Sequence, residues 1–358
     1  MHYSSEVSIR LLPSYKCSFE DPVHVTVSGL NPQQRVDLRS KITDEKGHVF
    51  KASATYQADS SGQVDLNRDP SLGGSFTGVE PMGLFWALKA DVVSSKFTLI
   101  DVTRTQLVDL ECVSDDKVIA KVTNERHCMA DGVRRIPVTE GRIRGTLFMP
   151  PGKGPFPGIL DTNVFRGGPF ELRAALLAKR GFAVLAFAFQ GYQDLPKKVD
   201  KFDLEYFEEG IDFLRQQQEV KDQKIGLVSI SKSGDLALSM ATFLPGISAT
   251  ICINGCNANT LVPIYYKDIC IPPLKFDVKK SKMTPSGLVD IGDCMNDPMS
   301  KEELPSVIPI ERASANHVVF FGGEPKAHSE AQLDAWQRIV IFFKKHLSAA
   351  DHNCRSML

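Results

Sequence analysis

The sequence predicts a β-sandwich domain followed by an α/β domain with a parallel-rich sheet and helices on both faces. Three observations carry this. Short alternating runs cut by turn signals fill the chain from Tyr15 to Gly145. A proline- and glycine-rich junction follows, Met149-Pro150-Pro151-Gly152-Lys153-Gly154-Pro155-Phe156-Pro157. Beyond it, continuous apolar runs alternate with amphipathic ones, the pattern of strands buried on both faces between covering helices. At 358 residues, 42% hydrophobic and 24% charged, the chain can bury two ordinary cores.

In the first domain, His24-Val25-Thr26-Val27 before Gly29, Val49 to Tyr56 before Asp59-Ser60-Ser61-Gly62, and Phe97-Thr98-Leu99-Ile100 read as strands. Ser71-Leu72-Gly73-Gly74-Ser75-Phe76-Thr77-Gly78 is too glycine-rich for a core strand and reads as an ordered loop of turns and bulges. In the second domain, Gly158 to Asp161, Phe182 to Phe189 and Lys224 to Ile230 read as buried strands. Glu171 to Lys179 and Asp203 to Gln217 read as helices. A last helix carries the stripe Leu333, Trp336, Ile339, Val340, Phe343 and Leu347 at helical spacing, a face for packing on the sheet.

Forty-two basic against forty-three acidic residues leave a formal charge of −1, so no long-range field gathers nucleic acid or anionic membrane, and an anionic ligand must be held by local groups. The eight cysteines are scattered without zinc-like spacing and read as reduced structural thiols, with no metal and no cofactor. No apolar stretch is long enough to cross a bilayer, and the first residues lack a signal-peptide pattern. The expectation is a soluble intracellular monomer.

The segment richest in chemistry is Lys224-Ile225-Gly226-Leu227-Val228-Ser229-Ile230-Ser231-Lys232-Ser233-Gly234-Asp235, an apolar strand meeting a helix through small residues. Such a junction is the setting of a nucleophile elbow, whose usual pattern is G-x-S-x-G, with small residues two before and two after the serine. Here Ser229 and Ser233 flank Ser231 instead. The competing reading of Ser231 is an ordinary helix N-cap.

Further motifs then bear on the choice: Val64-Asp65-Leu66-Asn67, Pro81-Met82-Gly83-Leu84-Phe85-Trp86, Arg144-Gly145-Thr146-Leu147-Phe148, Leu204-Glu205-Tyr206-Phe207-Glu208-Glu209, Ile253-Asn254-Gly255 and Gly322-Gly323-Glu324-Pro325-Lys326-Ala327-His328. With Ile230-Ser231-Lys232 they resemble, nearly end to end, the two-domain acyl-CoA thioesterases and their relative bile acid-CoA:amino acid N-acyltransferase. The resemblance implies an immunoglobulin-like sandwich over residues 15–143 and an α/β-hydrolase domain over 144–348, with Ser231 as nucleophile. It also implies an acyl-CoA substrate and hydrolysis to free fatty acid and CoA. Serine separates the thioesterases from the N-acyltransferase, which resembles this chain but carries cysteine. A serine acyl-enzyme is an oxygen ester open to water, whereas a cysteine acyl-enzyme keeps thioester reactivity toward an amine.

In that fold the oxyanion donors are the amide after the nucleophile, here Lys232, and one from the loop Asn163-Val164-Phe165-Arg166-Gly167-Gly168, assigned to Val164. The same loop also reads as a simple turn before the next helix, and Arg166 as either a CoA-phosphate ligand or a solvated surface residue. The triad order is nucleophile, acid, histidine. Against the family pattern the chain looks shortened near 315–325, with the block carrying acid and base missing. Counting places Glu324 as a substitute acid, just past a strand expected to neighbour the Ser231 strand, and leaves His328 as the base candidate, although the resemblance matches it to a non-catalytic histidine and no histidine nitrogen is expected within hydrogen-bond reach of Ser231 Oγ. His346 and His352 lie at or beyond the end of the last helix, and His317 precedes the acid. A catalytically impaired scaffold is therefore the alternative to an active enzyme, and an N-acyltransferase the third reading. Ser356-Met357-Leu358 shares two positions with the S-K-L peroxisomal address, so cytosol and peroxisome stay open.

Overall fold

The computed structural model describes residues 6–92, 97–163, 168–274, 277–283, 289–290, 292–294, 317–318 and 325–348. It divides into two compact units, residues 1–130 with 323–330 and residues 131–322 with 331–358.

The first unit runs through β1 (Ser8–Leu12), β2 (Lys16–Ser18), β3 (His24–Ser28), β4 (Arg35–Thr43), β5 (Val49–Gln57), β6 (Val64–Asp65), β7 (Gly73–Gly74), the single turn α1 (Gly83–Trp86), β8 (Lys89–Ala90), β9 (Gln106–Ser114) and β10 (Lys117–His127). Among the described residues one sheet has the order β1-β3-β6 and the other β2-β10-β9-β4-β5-β7. Strict alternation along β4 buries Val36, Leu38, Ser40 and Ile42 and leaves their neighbours toward water. Val25 and Val27 from one sheet and Leu38, Tyr56 and Leu110 from the other share one core, which makes the unit a sandwich. The glycine-rich loop earns its composition at Gly74, whose φ is 108° and where a Cβ would stand 2.4 Å from the Ser53 carbonyl oxygen.

One strand expectation fails. Phe97 to Ile100 joins no ladder. Its backbone is instead held by side chains, with Thr98 N donating to Asp44 Oδ2 at 3.1 Å and Ile100 N to Glu45 Oε1 at 3.1 Å. These carboxylates satisfy amides that a partner strand would otherwise need to take.

The second unit contains β11 (Arg134–Val138), β12 (Arg144–Met149), β13 (Phe156–Thr162), α2 (Glu171–Lys179), β14 (Ala183–Ala188), β15 (Phe202–Asp203), α3 (Leu204–Gln216), β16 (Val220–Ile230), α4 (Lys232–Phe243), β17 (Ile247–Ile253), β18 (Ile264–Tyr266), β19 (Ile269–Ile271), β20 (Lys282–Met283), β21 (Val289–Asp290) and β22 (His317–Val318); α5 (Pro325–Ser348) closes the described chain. Its main sheet has the order β11-β12-β14-β13-β16-β17-β22 among the described residues. The pairs from β14 to β22 are parallel, and those of β11 with β12 and β12 with β14 are antiparallel. Leu160, Leu185, Leu227 and Phe187 from the strands, with Phe207, Ile211, Leu236 and Leu238 from the helices, form its core. This is the α/β-hydrolase sheet with helices packed on it. The chain moves from β13 to β14 on one side, then crosses back to β16 on the other. Strand order therefore reverses between β13 and β16, and in open α/β sheets ligands bind at the carboxyl ends of the strands at such a switch point.

Candidate active site

Both loops expected to hold the reacting groups leave the sheet at this reversal, residues 163–168 after β13 and Ser231 after β16. β16 is apolar on both sides because it lies between β13 and β17, and α4 begins at the very next residue after Ser231. The turn between them is sharp. Ser231 has φ 57° and ψ −129°, a conformation that L-residues rarely adopt and that costs about 1–3 kcal/mol. Its amide donates to Ile253 O at 2.8 Å, and its carbonyl accepts from Gly234 N at 2.7 Å, so both neighbouring elements enforce the turn. The hydroxyl makes no capping hydrogen bond to α4. Ser231 thus stands at the N-cap position of α4 without capping it through its side chain, so its Oγ is not held by the helix.

The serines that replace the usual glycines have their own places. Ser229 is fully buried with its hydroxyl 2.9 Å from Thr162 Oγ1 on β13. Glycine is instead required one residue later than the motif expects. A Cβ on Gly234 would meet Gly255 Cα at 2.5 Å, and one on Gly255 would meet Gly234 Cα at 2.9 Å. This bare contact seats the start of α4 against the loop after β17, and Cys252 Sγ donates to Gly234 O at 3.3 Å beside it.

Lys232 opens α4, so its amide is among those the helix leaves without an intrahelical acceptor. Its side chain turns inward. Nζ donates to Asp235 Oδ2 at 3.0 Å and Asn259 Oδ1 at 2.6 Å, and lies 5.5 Å from the centre of the Phe202 ring. Asp235 Oδ2 also accepts from Thr260 N at 2.9 Å and Thr260 Oγ1 at 2.8 Å, while Asn259 Nδ2 donates to Val262 O and Ile271 O. Burial pushes the Lys232 ammonium down and the Asp235 carboxyl up, each opposed by its partner. This network ties the helix start to residues 259–271. Sequence reasoning missed it, although a Lys and an Asp three apart at a helix start was a usable signal.

A second buried pair flanks the other loop. Arg173 on α2 donates from Nε to Asp161 Oδ2 on β13 at 2.7 Å, with a further contact between Nη2 and Oδ1, and its guanidinium stacks on Phe170 at 5.3 Å. Burial raises the Asp161 carboxyl and Arg173 lowers it. The pair pins both ends of the loop in which the oxyanion donor is sought. Val164 and Arg166 themselves lie outside the described residues.

Glu324 also lies outside them. The strand leading toward it departs from expectation, because β22 pairs with β17, Cys252 opposite His317 and Ile253 opposite Val318, and so stands one strand away from β16. His328 falls in the first turns of α5, and its side chain is outside the described residues. His346 packs on Phe342 with ring centres 4.5 Å apart. Its neighbours Phe343 and Leu347 are the groups a Cβ on Gly226 would meet, at 2.8 Å each. Gly226 precedes Ser231 by five residues, about 16 Å of strand, so His346 is no base for Ser231. The described cysteines are all free thiols, and no cluster suited to a metal ion occurs among the described residues. Nor is any described helix long and apolar enough to cross a membrane.

Comparison with known proteins places this geometry. Residues 20–140 match the acyl-CoA thioester hydrolase/BAAT N-terminal region, and residues 202–320 and 312–349 match the BAAT/acyl-CoA thioester hydrolase C-terminal model. The chain belongs to the acyl-CoA thioester hydrolase/BAAT family. Acyl-coenzyme A thioesterase 5 of Mus musculus is 40% identical over 408 residues, covering 95% of this chain and 97% of that one. Acyl-coenzyme A thioesterase 6 of the same species is 41% identical over 404 residues, covering 94% and 96%, and its peroxisomal succinyl-coenzyme A thioesterase is 40% identical over 404 residues with the same coverage. Each alignment is longer than this 358-residue member of the family, so its relatives carry positions without a counterpart here. The two C-terminal matches overlap at residues 312–320.

Proposed function

We propose that this chain hydrolyses acyl-CoA thioesters through a serine acyl-enzyme, with Ser231 as nucleophile. The observation that carries the reading is the strained turn at Ser231, φ 57°, on a central strand at the point where strand order reverses. The family membership of the chain and the names of its thioesterase relatives support the same substrate class. Ser231 Oγ attacks the thioester carbonyl and gives up its proton to a base. The Lys232 amide and the Val164 amide are the proposed donors to the developing oxyanion. Collapse expels CoA as a thiolate that takes the proton, and water then hydrolyses the oxygen ester to free fatty acid. His328 is the proposed base and Glu324 its proposed acid, the pair that chain order leaves after Ser231.

The test is thiol release from palmitoyl-CoA by the purified chain, Ser231→Ala and His328→Ala. Both variants are expected to lose activity to a similar degree, since members of a triad act as a unit. Equal residual activity in all three proteins would mean that the scaffold persists without the chemistry. Supplying glycine or taurine is expected to yield no amide, because an oxygen ester favours water as acceptor. The proposed location is cytosol or peroxisome, the latter supported by the peroxisomal relative, and the proposed state is a monomer. Imaging of the full chain and sedimentation check each.

A further inference from the structure

Ser231 has a neighbour in a similar backbone state. β16 and β17 run parallel with Ile230 opposite Ile253, which brings the next residue of each strand, Ser231 and Asn254, to the same level at the carboxyl end of the sheet. Both have left-handed φ, 57° and 52°. Asparagine tolerates that conformation better than most residues, so the angle alone needs no function. Its side chain does need an explanation. Asn254 Nδ2 is buried and has no hydrogen-bond partner among the described residues, whereas buried amide groups are almost always paired. The residue is also held firmly, because Gly255 rests directly against Gly234 of α4 and Ile253 O receives the Ser231 amide. A fixed N–H donor next to a strained serine, without a partner among the described residues, is a group whose acceptor arrives with the ligand.

We propose that Asn254 donates from Nδ2 to the thioester carbonyl oxygen of bound acyl-CoA, a side-chain donor beside the backbone amides already assigned. The proposal rests on Ser231 being the nucleophile. It predicts that Asn254 senses a carbonyl at the reacting position and nothing else about the ligand. Two non-hydrolysable ligands separate these features: a 2-oxoalkyl-CoA, which keeps a carbonyl there, and an alkyl-CoA thioether, which lacks one. Calorimetric affinities of wild type, Asn254→Gly and Asn254→Asp are compared. Glycine keeps the left-handed backbone and aspartate keeps the shape, while both delete the donor. The expected result is roughly tenfold weaker binding of the oxo ligand by each variant with the thioether unchanged, and no fall in Tm for Asn254→Gly, since an unpartnered buried donor stabilises nothing. Equal loss for both ligands, or loss for neither, would overturn the role. Failure of wild type to bind either ligand would overturn the acyl-CoA reading itself and this role with it.

Discussion

At the residue scale, Ser231 is the position where backbone energy is stored. Its φ of 57° and ψ of −129° suit glycine and penalise any side chain. Ser231→Gly and Ser231→Ala remove the same hydroxyl, but only the glycine variant relieves the turn. Thermal melts are expected to show Ser231→Gly more stable than Ser231→Ala by about 1 kcal/mol, and equal stabilities would deny the strain. Lys232 presents the opposite case, a buried charge whose removal exposes its partner's cost. Lys232→Met leaves Asp235 unpaired and is expected to lose about 3–5 kcal/mol near neutral pH. The pH dependence follows from the raised Asp235 carboxyl. The folded state holds that proton to higher pH than the unfolded chain does, so stability falls as pH rises from the unfolded value through the folded one. Without the ammonium to oppose it, this trend deepens. The deficit of Lys232→Met against wild type should shrink between pH 7.5 and pH 4.5, and a deficit independent of pH would count against it.

At the scale of elements, the decisive contact is one without side chains. α4 reaches the loop after β17 through Gly234 and Gly255, where a methyl on Gly255 would sit 2.9 Å from Gly234 Cα. Gly255→Ala is expected to cost about 1–3 kcal/mol and to lower thiol release, because backbone must move at the elbow. A variant with wild-type Tm and wild-type rate would show the contact to be slack. The same scale explains one element that pattern reading misassigned and one that it did not single out. Phe97 to Ile100 has strand-like residues, yet Asp44 and Glu45 occupy its amides. β11 has four exposed residues of its five and contains Pro137, and it stands at the edge of its sheet, where a residue without an N–H is tolerated.

At the scale of the whole molecule, each unit owns a core, and the second unit alone supplies the strand-order reversal on which Ser231 sits. A net charge of −1 gives no general attraction for the phosphates of CoA, so binding must come from a formed pocket. Acyl-CoA is therefore expected to stabilise the folded chain in proportion to the logarithm of its concentration, about 2.7 kcal/mol at one hundred times Kd. Ser231→Ala should melt higher by the same increment, since it loses only the hydroxyl of the proposed nucleophile. No upward shift in either protein would exclude this ligand class.

The sequence by itself determined the two kinds of domain and the strand–helix junction at Ser231, because hydrophobic period and turn residues act over a few neighbours and are legible locally. It also carried, through separated motifs, the family to which the chain belongs. What only tertiary structure decided was how the elbow is built and what surrounds it. How Ser229 is accommodated depended on Thr162, and how α4 starts depended on a glycine pair twenty-one residues apart in sequence. The Lys232–Asp235–Thr260 network likewise joins α4 to the segment beyond β17, and the Asn254 amide after β17 has no partner among the described residues. A side chain's partner, or its want of one, is a property of the packed chain, and no local pattern encodes it.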